Sequence, residues 1–278
     1  MKNWKIVPQE PNVAEFVQCY WLLEKEASDT SHNYPKLNPD PSGTLIIAAE
    51  QQKYAYQNKN DNFSGQGSHW IFPNSQTMQL DHSQPFVILG IKFNIGALYS
   101  LDLPLKQPVI DQVTKVDVNL LLKIDILNKL SCLTKENHPV ESYRDLLDDI
   151  LAPWLTSKLQ DSHSKLCQKA ILQLTNHPVS EIGPLLHCSQ RTIERSFSRV
   201  TGFTLKQCQS MLRFEAILER LYAVKDADID WLNIVDEFGF SDQSHLIRNL
   251  KSIIDETPGQ YAKARDLTID IYGDFTSD

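Results

Sequence analysis

One pattern occurs twice near the end of the chain, and it limits the fold more than any other feature. Each copy is a short helix, a tight turn, and a second helix with polar outward positions. In the first copy Ser180 is the expected cap of the opening helix. Ser189 caps a second helix over Gln190–Val200, which Thr201-Gly202 ends. Ile193, Phe197 and Val200 fall at i, i+4 and i+7, leaving Arg191, Glu194, Arg195 and Ser198 on the opposite face. In the second copy a helix over Ile229–Phe238 leads through Gly239-Phe240-Ser241 to another over Asp242–Ile254. Leu246, Leu250 and Ile253/Ile254 point inward there, and Pro258 closes the helical pattern.

Ser189 and Asp242 are 53 residues apart, with an amphipathic stretch over Thr204–Val224 between them; Leu205, Leu212, Ile217, Leu218 and Leu221 are its inward positions. About 20 helical residues span ~30 Å, near the ~34 Å of one turn of B-DNA. A rigid connector of that length can set two outer helices into successive major grooves of one duplex face. A short helix with Leu166, Ala170, Ile171 and Leu174 precedes the first copy.

Upstream the period is different. Thr44–Ala49 and Phe86–Phe93 read as buried strands, and the polar stretch Asn58–Gly67 as a hairpin or exposed loop. Helical spacing returns over Val116–Leu130, with Leu120, Ile124 and Leu127 on one face. It is strongest over residues 141–160, where Tyr143, Leu147, Ile150, Leu151, Trp154 and Leu159 recur and Pro153 should kink or restart the helix. That helix is read as a packing or dimer element. Asp161-Ser162-His163-Ser164 is the expected linker, with a helical reading as the alternative because it is short. The fold class is therefore α+β and multidomain: a β-rich domain with trailing helices over 1–163, then an all-α domain over 164–278 with two helix-turn-helix units at about 179–202 and 229–255.

Composition mostly excludes. No apolar run approaches the roughly 20 residues of a membrane helix, and Met1-Lys2-Asn3-Trp4-Lys5 leads into polar sequence, so a cytoplasmic protein without membrane contact is expected. Five cysteines (Cys19, Cys132, Cys167, Cys188, Cys208) stand singly, without a C-x-x-C pair, and are read as buried reduced thiols. His32, His69, His82 and His138 form no close pair, so no metal site is expected; they read as surface or satisfied core residues. Trp4, Tyr20, Trp21, Tyr34, Tyr54, Tyr56, Trp70 and Phe72 are core by default, with a small-molecule pocket as the sharper alternative. No phosphate loop, dinucleotide fingerprint or nucleophile elbow is present, so neither cofactor nor enzymatic activity is expected. The net charge of −8 disfavours a nucleic-acid partner, but 187–206 holds Arg191, Arg195, Arg199 and Lys206 against Glu194 alone.

Residues 164–265 resemble the DNA-binding domain of the AraC/XylS family of bacterial transcription regulators. Gly239-Phe240-Ser241-Asp242-Gln243-Ser244-His245-Leu246-Ile247-Arg248-Asn249-Leu250-Lys251 matches that family's G-F-x-x-Q-S-x-[LF]-x-R-x-[FL]-K core, and Thr257-Pro258-Gly259-Gln260-Tyr261 its T-P-x-x-Y ending. The first half is similar to an uncharacterised domain often fused to this type, through Val17-Gln18-Cys19-Tyr20-Trp21, Asn38–Ile46 and Leu89–Ala97. Ile95-Gly96 stands where that domain usually has a proline-glycine pair.

The resemblance implies promoter DNA as partner, with RNA polymerase as well for an activator, and a first domain that senses a small-molecule effector or dimerises. It places base contacts at Arg191, Glu194 and Arg195 of the first unit, with Gln190 beside them; a solvated face pairing Arg191 and Arg195 around Glu194 is the bland alternative. The corresponding outward residues of the second unit are Gln243, Ser244, His245 and Arg248, where Arg248 equally suits a structural role and His245 a phosphate contact. Arg199, Lys206 and Lys251 are expected on phosphates. Arginine suits guanine O6/N7 and Glu accepts from cytosine N4; phosphate contacts set register only. The first unit departs from the family at Pro184, where a missing donor matters little near a helix start, and at His187, where Gly is usual. Gly183 keeps a close helix contact. A degenerate module acting through protein partners stays open. An enzyme is the weaker competitor: DNA-repair methyltransferases carry similar units, but beside a cysteine-rich zinc segment and reactive cysteine that this chain lacks.

Overall fold

The computed structural model describes residues 2–29, 33–135, 138–158, 160–223 and 230–254, with the side chains of 2, 131–135, 221–223 and 252–254 outside the description. Leu159, Ile229, His32 and the Thr257–Tyr261 ending therefore lie outside the described residues, as do the side chains of Cys132, Leu221, Ile253 and Ile254.

The first half is built on strands β1 (Lys2–Ile6), β2 (Val17–Lys25), β3 (Lys36–Leu37), β4 (Thr44–Ala48), β5 (Lys53–Gln57), β6 (Asn62–Gln66), β7 (His69–Ile71), β8 (Met78–Leu80), β9 (Phe86–Phe93) and β10 (Val113–Lys115). They form a six-stranded sheet in the order β1-β2-β9-β4-β7-β10 and a four-stranded sheet in the order β3-β8-β5-β6. Side chains alternate across a strand, and both faces of the larger sheet are covered. Tyr20 and Leu22 of β2, Leu45 and Ile47 of β4, and Leu89, Ile91 and Phe93 of β9 face one core. Trp21, Leu23, Ile46, Ala48, Phe86 and Ile88, from the same strands, face the other. That double burial is why these strands read as continuous apolar runs. Asn58–Gly67 is largely a hairpin: β5 and β6 pair antiparallel, and the Asn58 side chain accepts from the Asn60 and Asp61 amides at its turn.

Helices cover the first core: α1 (Pro11–Ala14), α2 (Val118–Leu122), α3 (Ile126–Lys135) and α4 (Val140–Thr156). The continuous helix expected over Val116–Leu130 is two helices, because Lys123 adopts φ 55 and ends α2. Leu120 is correspondingly exposed. Pro153 lies inside α4, which runs on only to Thr156. Tyr143, Leu147, Ile150, Leu151 and Leu155 of α4 are buried in the first core, so its apolar face is covered within its own domain. The buried Asp148 accepts from Tyr20 Oη at 2.7 Å and from the Gln9 and Glu10 amides, fastening β2 and the α1 entry to α4.

The rest is helical: α5 (Ser162–Leu174), α6 (Val179–Leu185), α7 (Gln190–Thr201), α8 (Leu205–Ala223), α9 (Trp231–Glu237) and α10 (Gln243–Ile254). Residues 162–164 are helical, the first turn of α5, which the Asp161 side chain caps. Two cores result. Cys167, Ala170 and Leu174 of α5, Ile182 of α6, and Ile193, Phe197 and Val200 of α7 close around Leu205 and Cys208 of α8. Farther along α8, Phe214, Ile217 and Leu218 form the second core with Ile234, Phe240, Leu246 and Leu250. One helix thus belongs to both cores, and Thr204 and Gln207 fix its start with a reciprocal capping box. Among the described residues no helix is long and apolar enough to cross a membrane.

Candidate nucleic-acid interface

The two helix-turn-helix units have matching turns. In the first, Leu186, His187 and Cys188 donate their amides to Ile182, Pro184 and Gly183; in the second, Phe238, Gly239 and Phe240 donate to Ile234, Asp236 and Val235. His187 (φ 53) and Gly239 (φ 66) take the same left-handed place. At His187 this is strained for a residue with a Cβ. Gly183 has a steric reason: an ideal Cβ there would lie 3.0 Å from the Cys188 carbonyl oxygen and 3.1 Å from the Gln190 amide. Pro184 falls in the last turn of α6 rather than near its start, and α6 ends one residue later. Ser180 is not the cap of α6. Pro178 holds that position, where its fixed φ suits the extended conformation and no side-chain cap bond is made.

Ser189 and Asp242 stand before the two outer helices. The Ser189 hydroxyl accepts from the Thr192 amide at 3.1 Å, and the Asp242 carboxylate from the His245 amide at 2.7 Å. That amide, first, and the Ser241 hydroxyl hold Asp242 below the usual carboxylate range. Counted from these caps the two helices share one register of buried and exposed positions. Ile193 matches Leu246 and Phe197 matches Leu250, all buried; Arg195 matches Arg248, both six residues past the cap and both exposed.

The sequence-expected contact residues are largely free of the core. Arg191, Glu194, Arg195, Arg199, Lys206, Gln243, Ser244, His245, Arg248 and Lys251 are exposed. Gln190 is half-buried, and its Nε2 donates to Glu194 Oε1 at 3.0 Å. Arg199 Nε donates to the hydroxyl of Tyr99, which stands in a 3₁₀ turn over Ala97–Ser100 of the first half. Other contacts join the halves at the same place. Lys92, 3% exposed on β9, pairs with Asp40 at 2.8 Å and lies 3.6 Å from Glu215 of α8. A Cβ on Gly96 (φ 79) would come within 2.8 Å of Val200 Cγ1. No signal in the sequence pairs residues a hundred positions apart, so this junction emerges only from the folded chain.

Of the aromatic residues singled out upstream, Tyr20, Trp21, Trp70 and Phe72 are core and Trp4 is partly buried against it, whereas Tyr34 is exposed. Tyr56 is core as well and Tyr54 packs against it, and both also line a cavity of about 950 Å³ with His69, His82 and Phe86. Among the described residues no three His, Cys, Asp or Glu side chains converge as a metal site would need. Cys19, Cys167 and Cys208 are buried free thiols and Cys188 is half-buried.

Residues 185–264 match a family model described as a helix-turn-helix domain. A search of curated proteins returns no match. Among solved structures, ToxT from Vibrio cholerae aligns at TM-score 0.49 and 10% identity, over 95% of this chain and 98% of that one. ToxT with an unsaturated fatty acid bound aligns at 0.44 and 11%, over 87% and 94%. The AraC-like transcriptional activator CuxR aligns at 0.29 and 12%, over 78% and 86%.

Proposed function

We propose that this chain, which carries an AraC-type helix-turn-helix domain over residues 185–264, is a sequence-specific transcription regulator that reads adjacent major grooves of promoter DNA with α7 and α10. The observation that carries this reading is the register of the two outer helices. Each buries the same apolar positions and presents an arginine six residues past its cap, on either side of one shared helix. The 19 residues of α8 span about 28 Å at 1.5 Å per residue, which suits two helices one duplex turn apart.

On this reading Arg191, Arg195 and Arg248 contact bases, with Glu194, Gln243, Ser244 and His245 beside them, while Arg199, Lys206 and Lys251 meet phosphates. Gln190 orients Glu194 through the bond it donates. Residues 1–163 form a regulatory domain and 164–278 the DNA-binding domain. The junction at Tyr99, Arg199, Lys92 and Glu215 favours control through the first domain, by an effector or by dimerisation, because a shift there moves α7 and α8 directly. An activating role would add RNA polymerase as a partner.

Selection of the full chain against a random DNA pool tests the reading. The expected product is a bipartite site with half-sites about ten base pairs apart. No enrichment at low salt would overturn it, since phosphate contacts alone should hold DNA there.

A further inference from the structure

The cavity in the first half is far from the helix-turn-helix units in sequence, and its walls are chemically specific. Its size, about 950 Å³, lies at the upper end of small-molecule sites. Small residues make the room: Ala48, Ala49, Ala55, Gly65 and Gly67 all line it. Gly65 has a particular role, because an ideal Cβ there would lie 2.5 Å from Tyr54 Oη. Its absence lets the Tyr54 ring lie across β6.

Aromatic rings supply much of the remaining wall. Tyr54 stacks on His69 with centroids 3.8 Å apart, Tyr56 lies 5.7 Å from Tyr54, and Phe86 packs 4.3 Å from His82. The two histidines are 2% and 7% exposed. His69 Nδ1 donates to the Gly67 carbonyl at 2.9 Å, so in the neutral ring Nε2 accepts the Tyr56 hydroxyl proton at 2.7 Å. Among the described residues the buried His82 Nδ1 has no hydrogen-bond partner. Burial pushes both rings down to about 4, so both are neutral at pH 7.

The charge on the walls therefore nearly cancels. Among the described residues Lys53 and Asp81 are the only lining residues charged at pH 7, and both are exposed; the buried Lys25 ammonium behind the wall is engaged by the His82 carbonyl at 2.8 Å and by Asn33 Oδ1 at 2.7 Å. A ligand carboxylate or phosphate would leave water to face neutral imidazoles and phenols, a costly exchange. A flat, neutral ring system loses little on entry and gains ring-on-ring contact.

We propose that this cavity binds an uncharged, planar aromatic small molecule, held between Tyr54, Tyr56, His69, His82 and Phe86. If the chain regulates transcription as inferred above, that molecule is its effector; the binding itself does not rest on that reading.

The test is isothermal titration of the full chain at pH 7 with indole as the neutral probe and indole-3-carboxylate as its charged counterpart. Saturable indole binding is expected, about tenfold or more tighter than the carboxylate, and similarly weakened by Tyr54→Ala. No saturable indole binding, equal or tighter carboxylate binding, or indole binding untouched by Tyr54→Ala would each overturn the proposal. Should Tyr54→Ala fail to fold, the comparison of the two probes on the unaltered chain still decides. Both readouts use the protein without DNA, so a failed titration and a failed DNA selection are separate results.

Discussion

Arg199 Nε donates a 2.8 Å hydrogen bond to the hydroxyl of Tyr99, tying the last turn of α7 to the first domain. The arginine proposed above to meet a DNA phosphate is thus already engaged within the protein. Tyr99→Phe removes the acceptor and should release it. Each phosphate neutralised adds about 0.9 to the slope of log affinity against log salt. The variant is expected to steepen that slope by about this amount, measured by anisotropy titrations over a salt series. An unchanged slope would mean that Arg199 meets no phosphate.

Arg195 and Arg248 occupy equivalent places in two helices, so their loss should have equivalent, separable consequences. Arg195→Ala and Arg248→Ala are each expected to cost about 1–3 kcal/mol in binding the selected site. Each should relax base preference in one half-site only. Competition binding against single-base variants of the site measures this; a uniform loss across all sequences would reassign either residue to the phosphates.

The turns offer a test of backbone strain. Gly239 has φ 66 and open space around its Cα, so Gly239→Ala adds no clash. Only left-handed strain remains, about 1–2 kcal/mol. His187 already bears that strain at φ 53, and His187→Gly should recover part of it, offset by the greater freedom of glycine in the unfolded chain. Urea denaturation is expected to show opposite signs for the two variants. A destabilised His187→Gly would mean that its side chain contributes more than its backbone costs.

Acid should weaken the first domain before its carboxylates titrate. His69 and His82 have folded values near 4 because burial disfavours their charged forms, against about 6.5 unfolded. Between those values the unfolded chain binds protons that the native state refuses, so stability falls as pH drops from about 6.5 towards 4 and is insensitive to these groups above that window. His82→Phe should remove up to one proton from the slope of unfolding free energy against pH. An unaltered slope would contradict the neutral, buried state assigned to this ring.

Much of the second half is legible in the sequence because its signals are local. Ile193, Phe197 and Val200, the cap Ser189 and the turn at Gly239 are each set by a few neighbouring residues, and the structure places them where their spacing puts them; Asp242, read as the first residue of its helix, caps it instead. The features that sequence does not reveal depend on distance or on a single backbone angle. Nothing in Val116–Leu130 marks Lys123 as left-handed, and its apolar spacing suits one helix as well as two. Pro178 displaces Ser180 as a cap because its own φ already suits the position. His69 and His82 read as surface or satisfied core residues; strand pairing brings them beside Tyr54 and Phe86, and register across two sheets is not written in any one strand. The Tyr99–Arg199 bond spans both domains and lies beyond sequence periodicity altogether.

The central claim is that α7 and α10 read one duplex face together, and the spacing of the selected half-sites tests it most directly. Inserting five base pairs, about half a helical turn, rotates one half-site to the opposite face while leaving every base of both intact. If α8 holds the two helices as a rigid pair, affinity should fall to that of a single half-site. Affinity that survives the insertion unchanged would contradict simultaneous reading by both units.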